Sequence, residues 1–358
     1  MRSARVLAVA ALLSVALCPA TFSFEEFTEA QKASAEKAVK WLLKAQNRDG
    51  SWGLDANTPG DITCTALAAM VLMECGTTER DGEPEKVKAL RGAIEYILKA
   101  ARSNRGDIEK SETTLIQGKL GRRVHNFFGV IFLTQLYGMR SPGGGGSGGD
   151  ENSELRETIQ KLSDIIAKSQ ESDGSWHKDT WGSLKATGMA WMALRAAAST
   201  GVPIQNAAVD RTVKFIKNQY NSRSKLYDSG GKLQSYQALY ATATCVRVME
   251  GMGEGSSKEC SDAEETFIQQ CRSGQWGQMF LTIEGEDYLS AVIFTHSLIH
   301  RSDNRWQTWF EYIRGALMKR QNADGSWVTT ACITGRTFAT ACAALTLYAP
   351  NRLTPMQQ

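Results

Sequence analysis

A seven-residue phrase occurs three times in this chain: QNRDGSW at residues 46–52, QESDGSW at 170–176 and QNADGSW at 321–327. Repetition at long, regular spacing constrains a fold strongly, because each copy must belong to a supersecondary unit that stacks on its neighbours. Each copy follows a stretch of helical periodicity: VKWLLKAQ, DIIAKSQ and GALMKRQ. Three weaker copies fill the gaps, YILKAARSNRGD from Tyr96, FIKNQYNSRSKLYDSGG from Phe215 and FIQQCRSGQWGQ from Phe267. Positions equivalent to the glutamine fall at 46, 101, 170, 219, 270 and 321, in steps of 55, 69, 49, 51 and 51. That is an array of six units with a period near fifty. The longest step contains SPGGGGSGGDEN, residues 141–152, whose Gly/Ser composition predicts a flexible surface loop between units two and three.

A second kind of helix follows each copy: DITCTALAAMVLMECG, RVHNFFGVIFLTQLYG, LKATGMAWMALRAAASTG, QSYQALYATATCVRVMEGMG, EDYLSAVIFTHSLIH and GRTFATACAALTLYAP. Four of the six end in Gly, the usual C-terminal stop, and the last ends before Pro350. Their interiors are apolar on all sides, which predicts burial all round. The helices that precede the phrase are amphipathic instead: Val39, Leu42 and Leu43 form a stripe, with Lys37, Lys40 and Lys44 elsewhere. No period-two alternation marks a strand. Six buried helices alternating with six amphipathic ones have one economical arrangement, an inner ring inside an outer ring. The expected fold is therefore all-α, a single (α/α)6 toroid over residues 24–358.

Gln46/Gly50/Trp52, Gln170/Gly174/Trp176 and Gln321/Gly325/Trp327 match Gln-x-x-x-Gly-x-Trp. In this the chain resembles the terpenoid cyclase and protein prenyltransferase superfamily, the squalene cyclase-like and prenyltransferase repeat proteins, over essentially the whole region after residue 23. The resemblance implies that the phrase is a structural joint, its Trp packed between neighbouring outer helices and its Gln tying down helix-end backbone. Asp-Gly supplies a tight turn, and a buried indole needs one partner for its N–H. Asp49, Asp173 and Asp324 are then turn residues.

The residues that carry the family's familiar activities are missing. Squalene-type cyclases protonate an alkene with the middle Asp of D-x-D-D-T-A; DITCTA at 61–66 keeps Asp61, Thr65 and Ala66, but has Thr63 and Cys64 at the other acidic positions. Prenyltransferases hold zinc with Asp-x-Cys and a later His; here Asp287 is followed by Tyr288 and Leu289, and RTFATACAAL has no His. The Cys-Gly-Glu-Gln of thioester domains is absent too.

The resemblance places ligands at the cavity end made by the inner-helix N-termini. Candidate catalytic residues there are Asp61, His125 and Asp287; candidate ligand-binding residues are Arg123, Lys185, Tyr236, Tyr288 and Arg336. Glu286 and Asp287 also suit a helix N-terminus, and Asp61 an N-cap, whereas Arg122, Arg123, Lys185 and Arg336 oppose the dipole. A polar mouth with acidic units one and five flanking basic unit six would take a carboxylated or phosphorylated ligand. His296 and His300 could share a helix face, but no third ligand lies at helical spacing, so neither a metal nor a cofactor is expected.

Residues 1–23 read as a secretory signal: Arg2 and Arg5, a twelve-residue apolar run from Val6 to Leu17, then small residues. Twelve residues are too few to span a bilayer, so a secreted or periplasmic protein without stable membrane insertion is expected. The formal net charge of +3, which falls to +1 without Arg2 and Arg5, excludes a basic nucleic-acid surface. Seven cysteines remain after Cys18, an odd number with no Cys-x-x-Cys pair. The expected function is a toroid holding a small or extended ligand, isoprenoid or glycan, in its central cavity, with any catalytic chemistry left open. The alternatives are a non-catalytic interaction scaffold and a polysaccharide-active (α/α)6 enzyme. Oligomeric state is not legible.

Overall fold

The computed structural model describes residues 27–109, 114–140, 150–177, 182–233, 235–273, 285–299, 301 and 303–351. The signal-like segment, Gln234, His300 and residues 141–149 of the Gly-rich stretch lie outside them, as does the Tyr236 side chain. In chain order the elements are α1 (Glu29–Ala45), α2 (Ile62–Glu74), α3 (Pro84–Ser103), α4 (Leu115–Leu120), α5 (Val124–Arg140), α6 (Asp150–Lys168), α7 (Ser183–Ser199) and α8 (Asn206–Lys217). A hairpin of β1 (Tyr220–Asn221) and β2 (Leu226–Tyr227) follows, then α9 (Ser235–Gly251), α10 (Lys258–Arg272), α11 (Gly285–Leu298), α12 (Arg305–Arg320) and α13 (Thr337–Tyr348).

The two helix classes expected from sequence are distinct. Every residue of α2, α11 and α13 is buried, as their all-round apolar sequences require. Helix α3 instead buries one stripe, Ala89, Leu90, Ala93, Ile94, Ile97, Leu98 and Ala101, at helical spacing. The apolar helices pack in a closed order: α2 on α5, α5 on α7, α7 on α9, α9 on α11, α11 on α13, and α13 back on α2. Helices α3, α6, α8, α10 and α12 each pack on the member of that set beside them, and α1 packs on α13. The first helix therefore closes against the last. Gln31 Nε2 donates to Leu347 O at 2.6 Å across this closure.

The three phrases share one geometry. Gln46 Nε2 donates to Gly50 O and to Ala89 O on α3, both at 2.9 Å. Gln170 does the same with Gly174 and Ala208 on α8, and Gln321 with Gly325 and Ser34 on α1. The indole N–H groups of Trp52, Trp176 and Trp327 donate to Leu42, Ile166 and Leu317, each ten residues back on the preceding helix. Asp49, Asp173 and Asp324 accept from the N–H and hydroxyl of the serine two residues on, as turn residues do. Each indole is almost wholly buried, and deleting such a ring costs about 3–5 kcal/mol.

Three local features differ from the sequence expectation. The hairpin Tyr220↔Tyr227 replaces the Asp-Gly turn in unit four, where the phrase has degenerated and Lys225 turns the chain with φ 54°. A short α4 is nucleated by a capping box between Thr114 and Gln117. Helix α6 starts at Asp150, so the last three residues of the Gly-rich stretch are helical. All seven described cysteines are free thiols, and only Cys332 is exposed. No described helix is long and apolar enough to cross a membrane.

Candidate functional site

The first turns of the buried helices carry a buried polar layer. Asp61 caps α2, accepting from Cys64 N–H at 3.0 Å through Oδ1. Its Oδ2 makes no hydrogen bond and faces His125 Nε2 at 3.6 Å. His125 at the start of α5 is wholly buried; its Nδ1 lies 2.9 Å from Thr63 Oγ1 and its Nε2 3.4 Å from Thr114 Oγ1. Two candidates from different units, Asp61 and His125, thus meet as a buried pair, just beyond hydrogen-bond distance.

Lys185, Glu286 and Asp287 form a second group on α7 and α11, each at most 2% exposed. Burial pushes the Lys185 ammonium down to about 8, while Glu286 and Asp287 pull it back up. Its Nζ sits 4.6 Å above the Tyr240 ring, a favourable cation–π position. The phenol of Tyr240 is pushed far above its ordinary range by burial and then by Asp287. Tyr288 is buried beside them in sequence, at 2% exposure.

The two candidate arginines do not join either group. Arg123 pairs with Asp107 at 2.7 Å. Arg336 pairs with Asp55 at 2.9 Å and Asp324 at 3.3 Å and lies over the Trp41 ring of α1. Basic unit six is thus paired with turn carboxylates of units one and six and not with Glu286 and Asp287 of unit five. Those carboxylates lie beside the joint, within reach of a long side chain at the helix N-cap.

A carboxylate pair went unread in the sequence. Asp107 accepts from Glu109 N–H, Asn126 Nδ2 and Arg123, which together hold it below its ordinary value although burial raises it. Glu109, two residues on, is pushed up to about 8 by burial, against hydrogen bonds from Asn126 N–H and Gln117. Two open grooves, of about 470 and 530 Å³, meet at Asp107 and Glu109. Among the described residues one trio has metal-ligand proximity, Glu250, Cys260 and Glu264. Arg301 and Arg305 take both carboxylate oxygens of Glu264 at 2.5 Å, which gives the trio an ion-pair role.

The cavity enclosed by the buried helices lies elsewhere. Its walls are Leu67 and Met70 of α2, Phe128 and Ile131 of α5, Trp191 and Met192 of α7, and Leu289, Val292 and Ile293 of α11. It holds about 60 Å³ and runs toward the helix C-termini, where Arg195, Ser199 and Arg247 line it. None of the seven candidate residues whose side chains are described lines this cavity. The signal for its polar end was present in the sequence: Arg195 and Arg247 interrupt two apolar runs, WMALRAAA and CVRVM.

No protein-family model matches the sequence, and no curated protein matches it. Solved structures do. A variant of the type II terpene cyclase MstE from Scytonema, in complex with its substrate geranylgeranyl dihydroxybenzoate, aligns over 91% of this chain and 98% of its own, with 15% identity and a TM-score of 0.52. A second variant, bound to the product merosterolic acid A, aligns over 91% and 98% with 14% identity and a TM-score of 0.50. The chain has a terpene cyclase-like fold. At this identity the likeness concerns the backbone alone, and function must come from the side chains.

Proposed function

We propose that this chain is an exported (α/α)6 toroid, squalene cyclase- and prenyltransferase-like in architecture, that holds a small ligand in the cavity of its inner ring. The closed packing order of the six buried helices supports the toroid, and the apolar leader at residues 6–17 supports export. One observation carries the binding reading: four inner helices contribute apolar side chains, from Leu67 to Ile293, around free space. The cyclase neighbour holds a geranylgeranyl chain, but ligand sites for molecules of that order measure roughly 300–1,000 Å³, and this cavity holds about 60 Å³. The ligand is accordingly small. Asp61 is capped on one oxygen and buried against His125, with Thr63 and Cys64 where a cyclase has acids, so the reading includes no alkene protonation.

Hexan-1-ol is a suitable probe of the cavity. It should raise the thermal midpoint of the purified protein in a saturable way, and Leu67→Trp, which fills the space, should abolish the shift. No shift with the wild-type protein, or an undiminished shift with the variant, would overturn the binding reading. The small free volume favours a second reading, a non-catalytic interaction scaffold with a filled ring, and that same negative result would support it.

A further inference from the structure

Two buried polar side chains of the inner ring have hydrogen bonds left to make. Trp191 of α7 lines the cavity and is only 2% exposed, and its indole N–H has no hydrogen-bond partner among the described residues. Gln135 on α5, which packs against α7, is 2% exposed too, and neither its amide nitrogen nor its amide oxygen has a partner among them. Gln135 follows Phe128 by seven residues and Ile131 by four, the spacing that stacks side chains on one helix face, and both of those line the cavity. It thus extends the cavity stripe of α5 by one turn, toward the end where α7 presents exposed Arg195 and Ser199. In a purely structural role these groups would be bonded within the protein, as the indoles of Trp52, Trp176, Trp309 and Trp327 are. Buried amides and indoles are nearly always paired. Left unpaired they cost stability that an apolar side chain of similar shape would not.

We propose that the cavity takes a short aliphatic alcohol, its chain among Leu67, Met70, Phe128 and Leu289 and its hydroxyl between Trp191 and Gln135. This rests on the cavity reading above and adds the chemical class of the ligand. The unused groups are the indole N–H, the amide NH2 and the amide oxygen, so donors and an acceptor stand together. A hydroxyl accepts from two N–H groups and donates one O–H, which meets both kinds; a carboxylate only accepts and an ammonium only donates. About 60 Å³ limits the enclosed part to a few carbons. The ligand enters from the end bearing Arg195 and Ser199, opposite the polar layer of Asp61, His125 and Lys185.

The test compares hexan-1-ol, 1-fluorohexane and hexanoate by titration calorimetry on the full chain. Hexan-1-ol should bind about tenfold more tightly than 1-fluorohexane, which has the same chain but no hydroxyl, and hexanoate should bind less tightly than hexan-1-ol. Gln135→Met, of similar length without the amide, should remove most of that tenfold preference and leave 1-fluorohexane affinity unchanged. The same variant should raise the thermal midpoint of the unliganded protein, because an unpaired buried amide is gone. Trp191→Phe, which lacks the indole N–H, should likewise lower the preference for the alcohol, with circular dichroism reporting that the variant is folded. Equal binding of hexan-1-ol and 1-fluorohexane would overturn the hydroxyl assignment while leaving the cavity reading intact. Binding of none of the three would overturn both. Tighter binding of hexanoate than of hexan-1-ol, or a lower midpoint for unliganded Gln135→Met, would also overturn the assignment: the first would put the ligand on the arginines, and the second would show that the amide serves the fold.

Discussion

Glu109 shows how much of this protein's chemistry is decided by a single side chain's surroundings. In sequence it is one acidic residue in a turn; in the fold it accepts from Asn126 N–H and from Gln117, and burial raises it to about 8. The folded state therefore holds its proton more tightly than the unfolded chain, where the ordinary value is 4.5. Its contribution to stability is full below pH 4.5 and is lost as pH rises to about 8. Glu109→Gln, which cannot ionise, should gain on the wild type steadily between those limits. Urea unfolding of both proteins at several pH values measures this, and a constant gap would show that the carboxyl is not held neutral. Asp61 and His125 were legible as candidates, but their approach to 3.6 Å was not, because they stand in different units. Arg195 and Arg247 are visible in the sequence only as oddities, since nothing there shows that two helices aim them at one space.

At the scale of elements, the joint is the unit of construction. The main-chain N–H of each motif Trp donates to a threonine one turn into the next buried helix: Thr65, Thr187 and Thr340, at 2.9–3.0 Å. Degenerate units keep the bond with other residues, Tyr227 N–H to Thr242 and Ile108 N–H to Asn126. This anchor escaped the sequence reading, although Thr65 and Thr340 both follow their Trp by thirteen residues. The motif glycines have a second duty. Gly174 has φ +93°, and a Cβ there would lie 2.5 Å from Arg211 O on α8; Gly50 and Gly325 meet Gly92 and Lys37 in the same manner. Gly174→Ala should cost well over the roughly 1–2 kcal/mol of the left-handed conformation alone, because backbone must also move. Gly201→Ala, at φ +73° with nothing within 4 Å, should cost only that conformational part. Denaturant midpoints of the two variants compare the terms directly, and equal losses would mean that helix approach at the joint is not tight.

For the whole molecule the central question is closure. Gln321 binds Ser34 through two hydrogen bonds and Gly325 through a third, tying the last unit to the first helix. Gln46 makes the corresponding bonds at an internal joint. If the ends are sealed as firmly as the interior, Gln321→Ala and Gln46→Ala should each cost about 1–3 kcal/mol, since each strands buried carbonyls. Both variants should unfold in one transition seen alike by circular dichroism and tryptophan fluorescence. A small loss for Gln321→Ala with early fraying of α1 would instead describe an open array. The sequence by itself determined the helical class, the two kinds of helix, the count of six units and the nature of the joint, because each follows from local periodicity and turn chemistry repeated along the chain. Only the tertiary structure decided which polar residues meet, where free space lies and which end of it is charged. Those depend on how helices from distant units rotate and approach one another, and no period along a single helix encodes that.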